Sequence, residues 1–582
     1  MTELVARTRL STRLRRWLRG GLPTWYDPDY RLPVSSAGVG NGMEPRRADF
    51  VAWYLADSGA LRREDLRHPP RASWAWLARV HTPELLRSLS DRDTLARVMG
   101  LPSWDIPVEE LLLGVRLAVG GTVEATREAL RRDGPTLNLL GGYHHAAPDK
   151  AAGLCLVNDI AIALAVARQE GFDGRVVVID LDAHPPDGTA ACLASDPKAW
   201  IGSLSRSDWG SLPGVDETVL PPGTPDGPYL DALDALLGRM PDPALAFVIA
   251  GGDVLAEDQL GQLGLSEAGA RARDLKVARA LAGVPAVWLP GGGYSNAAWR
   301  VLAGTALAVA LGTERPIPSE YAPLRRRFDR IFRNIDREAL GEAPLLSGDE
   351  LAEALGVPVH KTERWLGQYT ASGLEYAFYE YGILDQLRRL GYRDFRVTIE
   401  RERVEGEMVR LLGCAEGQEH VLIECVASRE SLHGRQMLYV NWLTLRHPRA
   451  GFHPARPQLP GQSVPGLGLA PEITEMLGLV ARRLGLEGVW FRPAHYHVAY
   501  SGRQFFRFTD AARQGRFEAL MRDLEGLSLL EATRAVDEGR VRSGGTVYDW
   551  EASDMVYDTI EKPKGWAEEV KRVREGTRFE VG

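Results

Sequence analysis

The sequence predicts an α/β fold, a parallel β-sheet flanked by helices on both faces, followed by a smaller α+β domain. Three observations indicate this architecture. Short apolar runs alternate with helix-like stretches up to about residue 313, several runs end in glycines followed by a polar residue, and the pattern changes beyond residue 325. Alternating strands and helices are typical of a parallel sheet with helices on both faces.

Length and composition limit the classes of protein that need to be considered. A chain of 582 residues is expected to form two to four domains, and a net charge of -8 gives no basic excess for binding nucleic acid. The four cysteines are widely spaced without a CxxC pair, as suits a reducing compartment, and no apolar run is long enough to span a bilayer. We therefore expect a cytoplasmic protein with neither a nucleic-acid nor a membrane partner. Its oligomeric state is not indicated.

The chain is expected to divide into four parts. Residues 1–24 are a basic N-terminal segment, whose alternating arginines and apolar residues resemble an amphipathic helix packed on its own domain. Residues 25–333 form the first domain. Glycine, proline and serine then indicate a linker at 334–347, before an α+β domain at 348–582.

The first strand-end motif suggests a metal site. Residues 176–179 are a continuous apolar, β-branched run typical of a strand buried on both faces, and Asp180, Asp182 and His184 follow it. Residues two apart in extended chain point the same way, so these three side chains converge. Taken alone, these residues could equally well form a turn or bind a metal ion.

Other predicted strands also end in glycines and polar residues, which favours a metal site over a simple turn. Carboxyl ends of parallel strands are where sites form in open sheets, and glycine allows close backbone approach there. The further runs are 136–140 before His144 and His145, 246–249 before Asp253, and 286–289 before Tyr294. Helices are predicted over 158–170, 229–239, 266–282 and 297–311.

These motifs match a known family in order and spacing. YHHAAPDKAAGLCLVND, IDLDAHPPDGT, AGGDVLAEDQLGQLGLS and PGGGYS resemble the zinc-dependent histone deacetylases, including bacterial acetoin-utilisation and acetylpolyamine-amidohydrolase relatives. The resemblance covers about residues 25–320 and implies the arginase/deacetylase-like fold.

The resemblance implies two cation sites. Asp182, His184 and Asp253 match the ligands of one catalytic Zn²⁺, a set that leaves a position open for water and substrate. The loop that begins at Ser203 matches the one that, with Asp180, holds a structural K⁺ in many relatives.

The resemblance also implies the roles of the catalytic side chains. His145 is the general base and acid, and His144 is its electrostatic partner. Asp180 would orient His144, and Asp187 would orient His145. Tyr294 would donate a hydrogen bond to the developing oxyanion.

The substrate pocket is matched residue by residue as well. Gly153 and Leu154 stand where the family has a glycine and a tunnel-wall aromatic, so the wall stays apolar without a flat stacking face. Asp105 matches a rim residue that holds the substrate backbone, and Gly292 belongs to the last strand-end motif. Arg47 matches an arginine deep in the pocket, although an exposed arginine at a helix start fits its position equally well.

One departure from the family leaves alternatives open. Pro185 and Pro186 replace residues of the motif after His184, which stiffens the turn and removes two backbone donors. The predicted function is a zinc-dependent amidohydrolase that removes acetyl or other acyl groups from protein lysines or small acylated amines. A catalytically impaired deacetylase-fold binding protein is the first alternative. A ureohydrolase with paired manganese is disfavoured, because residues 254–256 supply no further carboxylate.

The C-terminal part has a weaker family resemblance. Strands are predicted at 395–400, 408–413, 420–427, 437–445 and 489–492, with helices at 379–390 and 471–484. The strand, Gly466-Leu467-Gly468 turn and helix are similar to the acyl-CoA-binding core of GNAT acetyltransferases. Ser463 stands where that family has a basic residue or glutamine, and Gln462 is one place off. We expect a degenerate GNAT-like fold with weak acetyl-CoA binding or none. An active one would make the chain a bifunctional deacetylase and acetyltransferase.

Overall fold

The computed structural model describes residue 12 and residues 20–31, 42–103, 106–341, 363–454, 456–557 and 560–582. The chain divides into two compact units, Met1–Pro323 and Leu324–Gly582. Most of the predicted N-terminal segment 1–24, and residues 342–347 of the predicted linker, lie outside the described residues. The four-part division therefore stays a prediction, and each unit is described here by itself.

Unit 1 contains an eight-stranded sheet in which every pair of neighbouring strands is parallel, in the order β2-β1-β3-β8-β7-β4-β5-β6. This arrangement confirms the predicted fold class. The strands are β1 Thr24–Trp25, β2 Leu66–Arg67, β3 Pro135–Asn138, β4 Val176–Asp180, β5 Ala199–Ser205, β6 Val215–Val219, β7 Leu245–Ile249 and β8 Ala286–Leu289.

Helices flank this sheet. The ends of the predicted helices agree with the observed ones to within three residues. The helices are α1 Arg47–Ser58, α2 Trp74–Leu77, α3 Pro83–Ser88, α4 Arg92–Met99, α5 Val108–Arg132, α6 Asp159–Gln169, α7 Asp187–Leu193, α8 Asp226–Arg239, α9 Glu267–Ala280 and α10 Ala298–Leu311.

The core explains why β4 is an uninterrupted apolar run. Val176 and Val178 belong to one hydrophobic cluster that includes residues of α5 and α6, and Val177 and Ile179, on the opposite face of the strand, are equally buried. Burial of both faces requires apolar residues at every position of the strand. Because β3, β8, β7 and β4 are neighbours in the sheet, the segments that follow them meet at one edge.

Unit 2 contains a seven-stranded sheet in the order β14-β17-β13-β12-β11-β10-β9 and a three-stranded sheet in the order β16-β15-β18. Neighbouring strands of the larger sheet are antiparallel except β12 and β13, which are parallel. The strands are β9 Arg393–Glu400, β10 Glu407–Ala415, β11 Gln418–Leu432, β12 Arg435–Leu445, β13 Val489–Phe491, β14 Phe506–Phe508, β15 Val541–Ser543, β16 Thr546–Val547, β17 Met555–Tyr557 and β18 Glu580–Val581.

The predicted helix at 379–390 is wrong as a single element. Gly382 adopts a left-handed conformation with φ of 77°, which ends one helix and begins the next. The helix α11 Pro323–Asn334 begins at the last residue of unit 1. The other helices of unit 2 are α12 Ala371–Glu380, α13 Ile383–Arg389, α14 Ala470–Arg483, α15 Tyr496–Gly502, α16 Ala511–Asp523, α17 Leu529–Asp537 and α18 Trp566–Gly576. The GNAT resemblance of this unit stays a prediction.

No helix within the described ranges combines the length and the apolar character that crossing a membrane requires.

Candidate metal centre and active site

Three side chains that follow β4 and β7 come together at the carboxyl edge of the unit 1 sheet. The Nδ1 atom of His184 lies 3.1 Å from Asp182 Oδ1 and 3.1 Å from Asp253 Oδ2. The potential ligand atoms of the three residues all lie within 4.8 Å of one another, and both aspartates are buried. Among the described residues, this is the one such group of three or more His, Cys, Asp or Glu side chains.

The backbone holds the two carboxylates in place. The amide of Gly292 donates to Asp182 Oδ2 at 2.6 Å, and the amide of Ala183 donates to Asp253 Oδ1 at 3.1 Å. A Cβ atom at position 292 would lie only 2.8 Å from a carboxylate oxygen of each aspartate. Glycine at this position therefore allows the loop after β8 to approach the group closely.

Two adjacent histidines lie beside this group, and a carboxylate contacts each of them. His144 Nδ1 is 2.9 Å from Asp180 Oδ2, and His145 Nδ1 is 2.7 Å from Asp187 Oδ1. The centroids of the two imidazole rings are 4.1 Å apart. Each carboxylate is placed to accept the Nδ1 proton of its histidine. When such a ring is neutral, its Nε2 atom is free to act as a base.

The surroundings separate the pKa values of these histidines. Burial alone would lower the pKa of His144, but the carboxylates of Asp180 and Asp182 outweigh this effect and raise it to about 9. Burial lowers the pKa of His145, and the positive charge of His144 lowers it further. His144 is thus charged near neutral pH, whereas His145 is neutral.

The two prolines of the β4 motif do not displace the carboxylate that follows them. Asp187 begins α7, its amide donates to Pro185 O at 3.0 Å, and its side chain reaches His145. Proline lacks a backbone donor, but the contact to His145 uses the side chain of Asp187. The predicted pairing of His145 and Asp187 is therefore present in the structure.

Tyr294 lies at the same edge, after β8. Its amide donates to Asp258 Oδ2 at 2.5 Å, and the other oxygen of Asp258 accepts from the amides of Leu260 and Gly261, both at 3.0 Å. Burial raises the pKa of the Tyr294 hydroxyl well above its ordinary value, and the nearby carboxylates of Asp182 and Asp253 add to the effect. The phenol therefore keeps its proton.

A cavity connects these residues to the remaining predicted pocket positions. Gly153 and Leu154 line it, and a Cβ at position 153 would lie 2.3 Å from His145 Cδ2, so a side chain there would displace the imidazole. Arg47 also lines the cavity and donates to Gly291 O at 2.9 Å. Arg47 is thus both the first residue of α1 and a cavity residue. The predicted rim residue Asp105 lies outside the described residues.

The predicted K⁺ position shows one unusual feature. The prediction that Ser203 begins a loop is wrong, because Ser203 lies within β5. It is fully buried, and within the described part of the chain its hydroxyl oxygen has no hydrogen-bond partner. Asp180, its register partner on β4, is also fully buried. A buried hydroxyl without a partner is costly unless something else satisfies it.

Sequence reasoning missed two residues that shape the site. Trp209 is 52% exposed, and its ring centroid lies 5.3 Å from that of His145 and 6.4 Å from that of His184. Asp159 is buried and accepts hydrogen bonds from the amides of Gly142 and Tyr143, which fixes the turn that carries the histidine pair. Asp159 is the last residue of the motif YHHAAPDKAAGLCLVND. Nothing in the local pattern distinguishes Trp209 from an ordinary loop residue.

Known proteins resemble this part of the chain. The model of the histone deacetylase domain matches residues 41–310. Histone deacetylase 2 of Arabidopsis thaliana is 32% identical over 270 residues, which cover 44% of this chain and 69% of the relative. The chain belongs to the histone deacetylase family.

Further matches come from bacteria. An uncharacterized protein of Picosynechococcus sp. is 32% identical over 293 residues, covering 47% of this chain and 93% of the relative. The crystal structure of an HDAC homolog from Aquifex aeolicus matches with 22% identity and a TM-score of 0.43, covering 51% of this chain and 85% of that one. The matches to the histone deacetylase domain and to the plant relative show that unit 1 carries a deacetylase domain of this family, which is a hydrolase.

Proposed function

We propose that this chain is a zinc-dependent amidohydrolase that removes acyl groups from lysine side chains or small acylated amines. One observation carries the proposal: Asp182, His184 and Asp253 converge beside two histidines that are each paired with a carboxylate. Such a constellation combines a cation site with a general base, and metal-assisted amide hydrolysis uses both.

The three predicted ligands fit a zinc ion. One imidazole and two carboxylates are ligands that zinc accepts, and three protein ligands leave a position for water or substrate. Burial raises the pKa of Asp253 to about 8, and the negative charge of Asp182 contributes to the rise. Part of this rise comes from repulsion between the two buried carboxylates, which a bound divalent cation would relieve. A bound zinc ion would polarise the amide carbonyl and acidify the attacking water.

His145 performs the proton transfers in the proposed mechanism. Its lowered pKa keeps the ring neutral, and Asp187 holds the Nδ1 proton, so Nε2 can accept a proton from the attacking water. The same nitrogen then delivers the proton to the leaving amine. His144, charged because its pKa is raised to about 9, stabilises the negative charge that develops nearby.

Tyr294 stabilises the oxyanion. Its hydroxyl remains protonated because its pKa is raised well above the ordinary value, and it lines the same cavity as Asp182 and His145. A donor aimed at the developing charge typically lowers the barrier by roughly 3 kcal/mol. Water then adds to the acyl carbon, the carbon–nitrogen bond breaks, and a carboxylate and an amine leave.

Trp209 and Leu154 form the proposed walls for the substrate's alkyl chain. Leu154 is apolar, and Trp209 presents a partly exposed ring beside His145. An aliphatic lysine or polyamine chain can pack between them while its amide reaches the histidines. Ser203 and Asp180 would hold a structural K⁺, which would satisfy the buried hydroxyl of Ser203.

Metal analysis and hydrolysis assays on the full-length protein test the proposal. We expect about one zinc per chain by mass spectrometry, and release of acetate from an acetyl-lysine peptide that stops on chelation and returns with zinc. Zinc binding and peptide binding without any hydrolysis would support the alternative of an impaired binding protein. Two manganese ions per chain would contradict the zinc proposal.

A further inference from the structure

A buried ion pair of unit 1 takes no part in the proposed reaction. Arg273 and Asp274 are neighbours on α9, and the side chains of both are fully buried. Arg273 Nε lies 2.8 Å from Asp274 Oδ1. Burial alone would lower the pKa of Arg273, but the negative charge of Asp274 outweighs this effect and raises it. The guanidinium is therefore charged although it has no access to solvent.

This guanidinium reaches the backbone that carries two of the proposed metal ligands. Its Nη1 atom donates to Gly251 O at 2.8 Å and to Leu181 O at 3.3 Å. Leu181 directly precedes Asp182, and Gly251 lies two residues before Asp253. One nitrogen atom thus joins the segment after β4 to the segment after β7, and each segment carries one carboxylate of the metal centre.

The two segments are packed closely at this point. The amide of Leu181 donates to Ile249 O at 2.9 Å, so the chains stay paired as far as this residue. A Cβ atom at position 251 would lie 2.8 Å from Asp182 Cα and 2.5 Å from Asp253 Oδ1. Gly251 therefore lies against both aspartates, and a shift of its backbone would disturb them.

The other end of the network is held by α10. Thr305 Oγ1 donates to Asp274 Oδ2 at 2.6 Å, and Thr305 is also fully buried. Stability alone does not require such an arrangement, because apolar residues in place of a buried ion pair often leave a protein equally stable or more stable. What the guanidinium of Arg273 supplies is a rigid planar fork whose donors lie at fixed angles.

We propose that Arg273 is a positioning residue, whose guanidinium fixes the separation of Asp182 and Asp253 and thereby sets the affinity of the site for zinc. The inference rests on the proposed zinc-dependent function, and it adds a residue that acts through the backbone rather than on the substrate. Loss of a partner that orients metal ligands typically weakens metal binding by about 10- to 100-fold.

The zinc affinity of a double variant of the full-length protein tests the proposal. Arg273→Met combined with Asp274→Leu removes both charges together, so neither is left buried without its partner. Competition with a chromophoric chelator should give a zinc Kd roughly 10- to 100-fold weaker than that of the unsubstituted protein. Thr305→Val is the matched control, because it changes the far end of the same network and leaves Arg273 in place. It should not change the zinc Kd.

The absorption spectrum of bound Co²⁺ reports the arrangement of the ligands without turnover. The visible bands should shift in the cobalt-loaded double variant, whereas Thr305→Val should match the unsubstituted protein. Kinetics at saturating zinc give a second measurement, in which kcat should fall by about tenfold. The KM for an acetyl-lysine peptide should stay nearly constant, because Arg273 does not line the cavity.

Arg273→Lys provides a second variant if the double variant does not fold, as judged by circular dichroism and urea unfolding. It keeps a positive charge beside Asp274, but an ammonium group lacks the planar fork, so the zinc Kd should again be weaker by at least about tenfold. An unchanged zinc Kd in a folded Arg273 variant, or an equal loss in Thr305→Val, would overturn the inference while leaving the zinc site established. Failure of the unsubstituted protein to bind zinc would instead overturn the proposed function.

Discussion

His145 Nδ1 and Asp187 Oδ1 lie 2.7 Å apart, although two consecutive prolines directly precede this aspartate. The carboxylate can orient the ring because α7 begins at Asp187 and fixes its position. The unusual turn therefore preserves the pairing on which the proposed base depends.

Asp187→Asn tests this pairing. Loss of the carboxylate should lower kcat by about a hundredfold, because the tautomer and orientation of His145 are no longer fixed. Asp187 also raises the pKa of His145, so in the variant the acid limb of the kcat/KM profile should move to lower pH. Asp149→Asn, at an exposed position, is the control and should leave both unchanged. A variant with reduced rate but an unshifted acid limb would argue against the pairing.

Tyr294→Phe removes the hydroxyl proposed to stabilise the oxyanion. Because the side chain is not one of the proposed metal ligands, zinc content should stay near one per chain, while kcat falls by about a hundredfold or more. Mass spectrometry and steady-state kinetics on the same preparation measure both quantities. Normal turnover would exclude Tyr294 from the mechanism.

Asp253→Ala and Asp182→Ala should each remove bound metal and activity together. Each substitution deletes one of three proposed ligands and leaves the other buried carboxylate beside His184. Asp258→Asn is a comparison, since Asp258 binds backbone amides rather than the ligand group, and it should retain metal. Retention of both zinc and turnover in either alanine variant would show that the ligand assignment is wrong.

His447 should make unit 2 sensitive to acid. Burial lowers the pKa of His447 to about 3, and the charges of Arg456 and Arg449 contribute. Its unfolded pKa is about 6.5, so between these values the unfolded chain binds more protons and stability falls as pH falls, by up to about 1.4 kcal/mol per pH unit.

Urea unfolding of His447→Gln measures this effect. Between about pH 6.5 and about pH 5, the unsubstituted protein should lose up to about 2 kcal/mol more than the variant. His433→Gln, at an exposed position, should behave like the unsubstituted protein. Parallel pH profiles for the His447 variant and the unsubstituted protein would refute the assignment.

Acetyl-CoA should bind the full-length protein with a Kd weaker than about 1 mM, if at all. Glu472 lies in the first turn of α14, is 1% exposed, and places a carboxylate where a pyrophosphate would require positive potential. Isothermal titration with acetyl-CoA checks this expectation, and Glu472→Gln should bind no worse. A micromolar Kd would instead support the bifunctional alternative.

Local patterns predicted β3, β4, β7 and β8 of the unit 1 sheet and the polar residues that follow them, but not β1, β2, β5 and β6. Residues 176–179 had to be apolar because both faces of β4 are buried, and the polar residues next to such strands stand out. Gly382 shows the limit in unit 2, since one left-handed residue divides a helical pattern that is otherwise continuous.

Long-range contacts could not be predicted from local patterns. Asp159 binds the turn before His144 from 16 and 17 residues away, and by its local pattern it belongs only to the start of α6. The position of Trp209 depends on the path of the loop after β5, which no periodicity specifies. Both residues become visible as part of the site only when the strands are placed side by side.

The amide hydrogen bonds from Ala183 to Asp253 and from Gly292 to Asp182 fix the carboxylates without any help from a metal. Ligands held in this way have little need to reorganise when a cation arrives or departs. We therefore expect exchange of the ion to proceed in the folded protein, without passing through unfolding. Since affinities of such oxygen and nitrogen sites do not by themselves select the metal a cell needs, the supply of divalent cations would then act together with the geometry and the ligand types of the site in deciding which ion is bound.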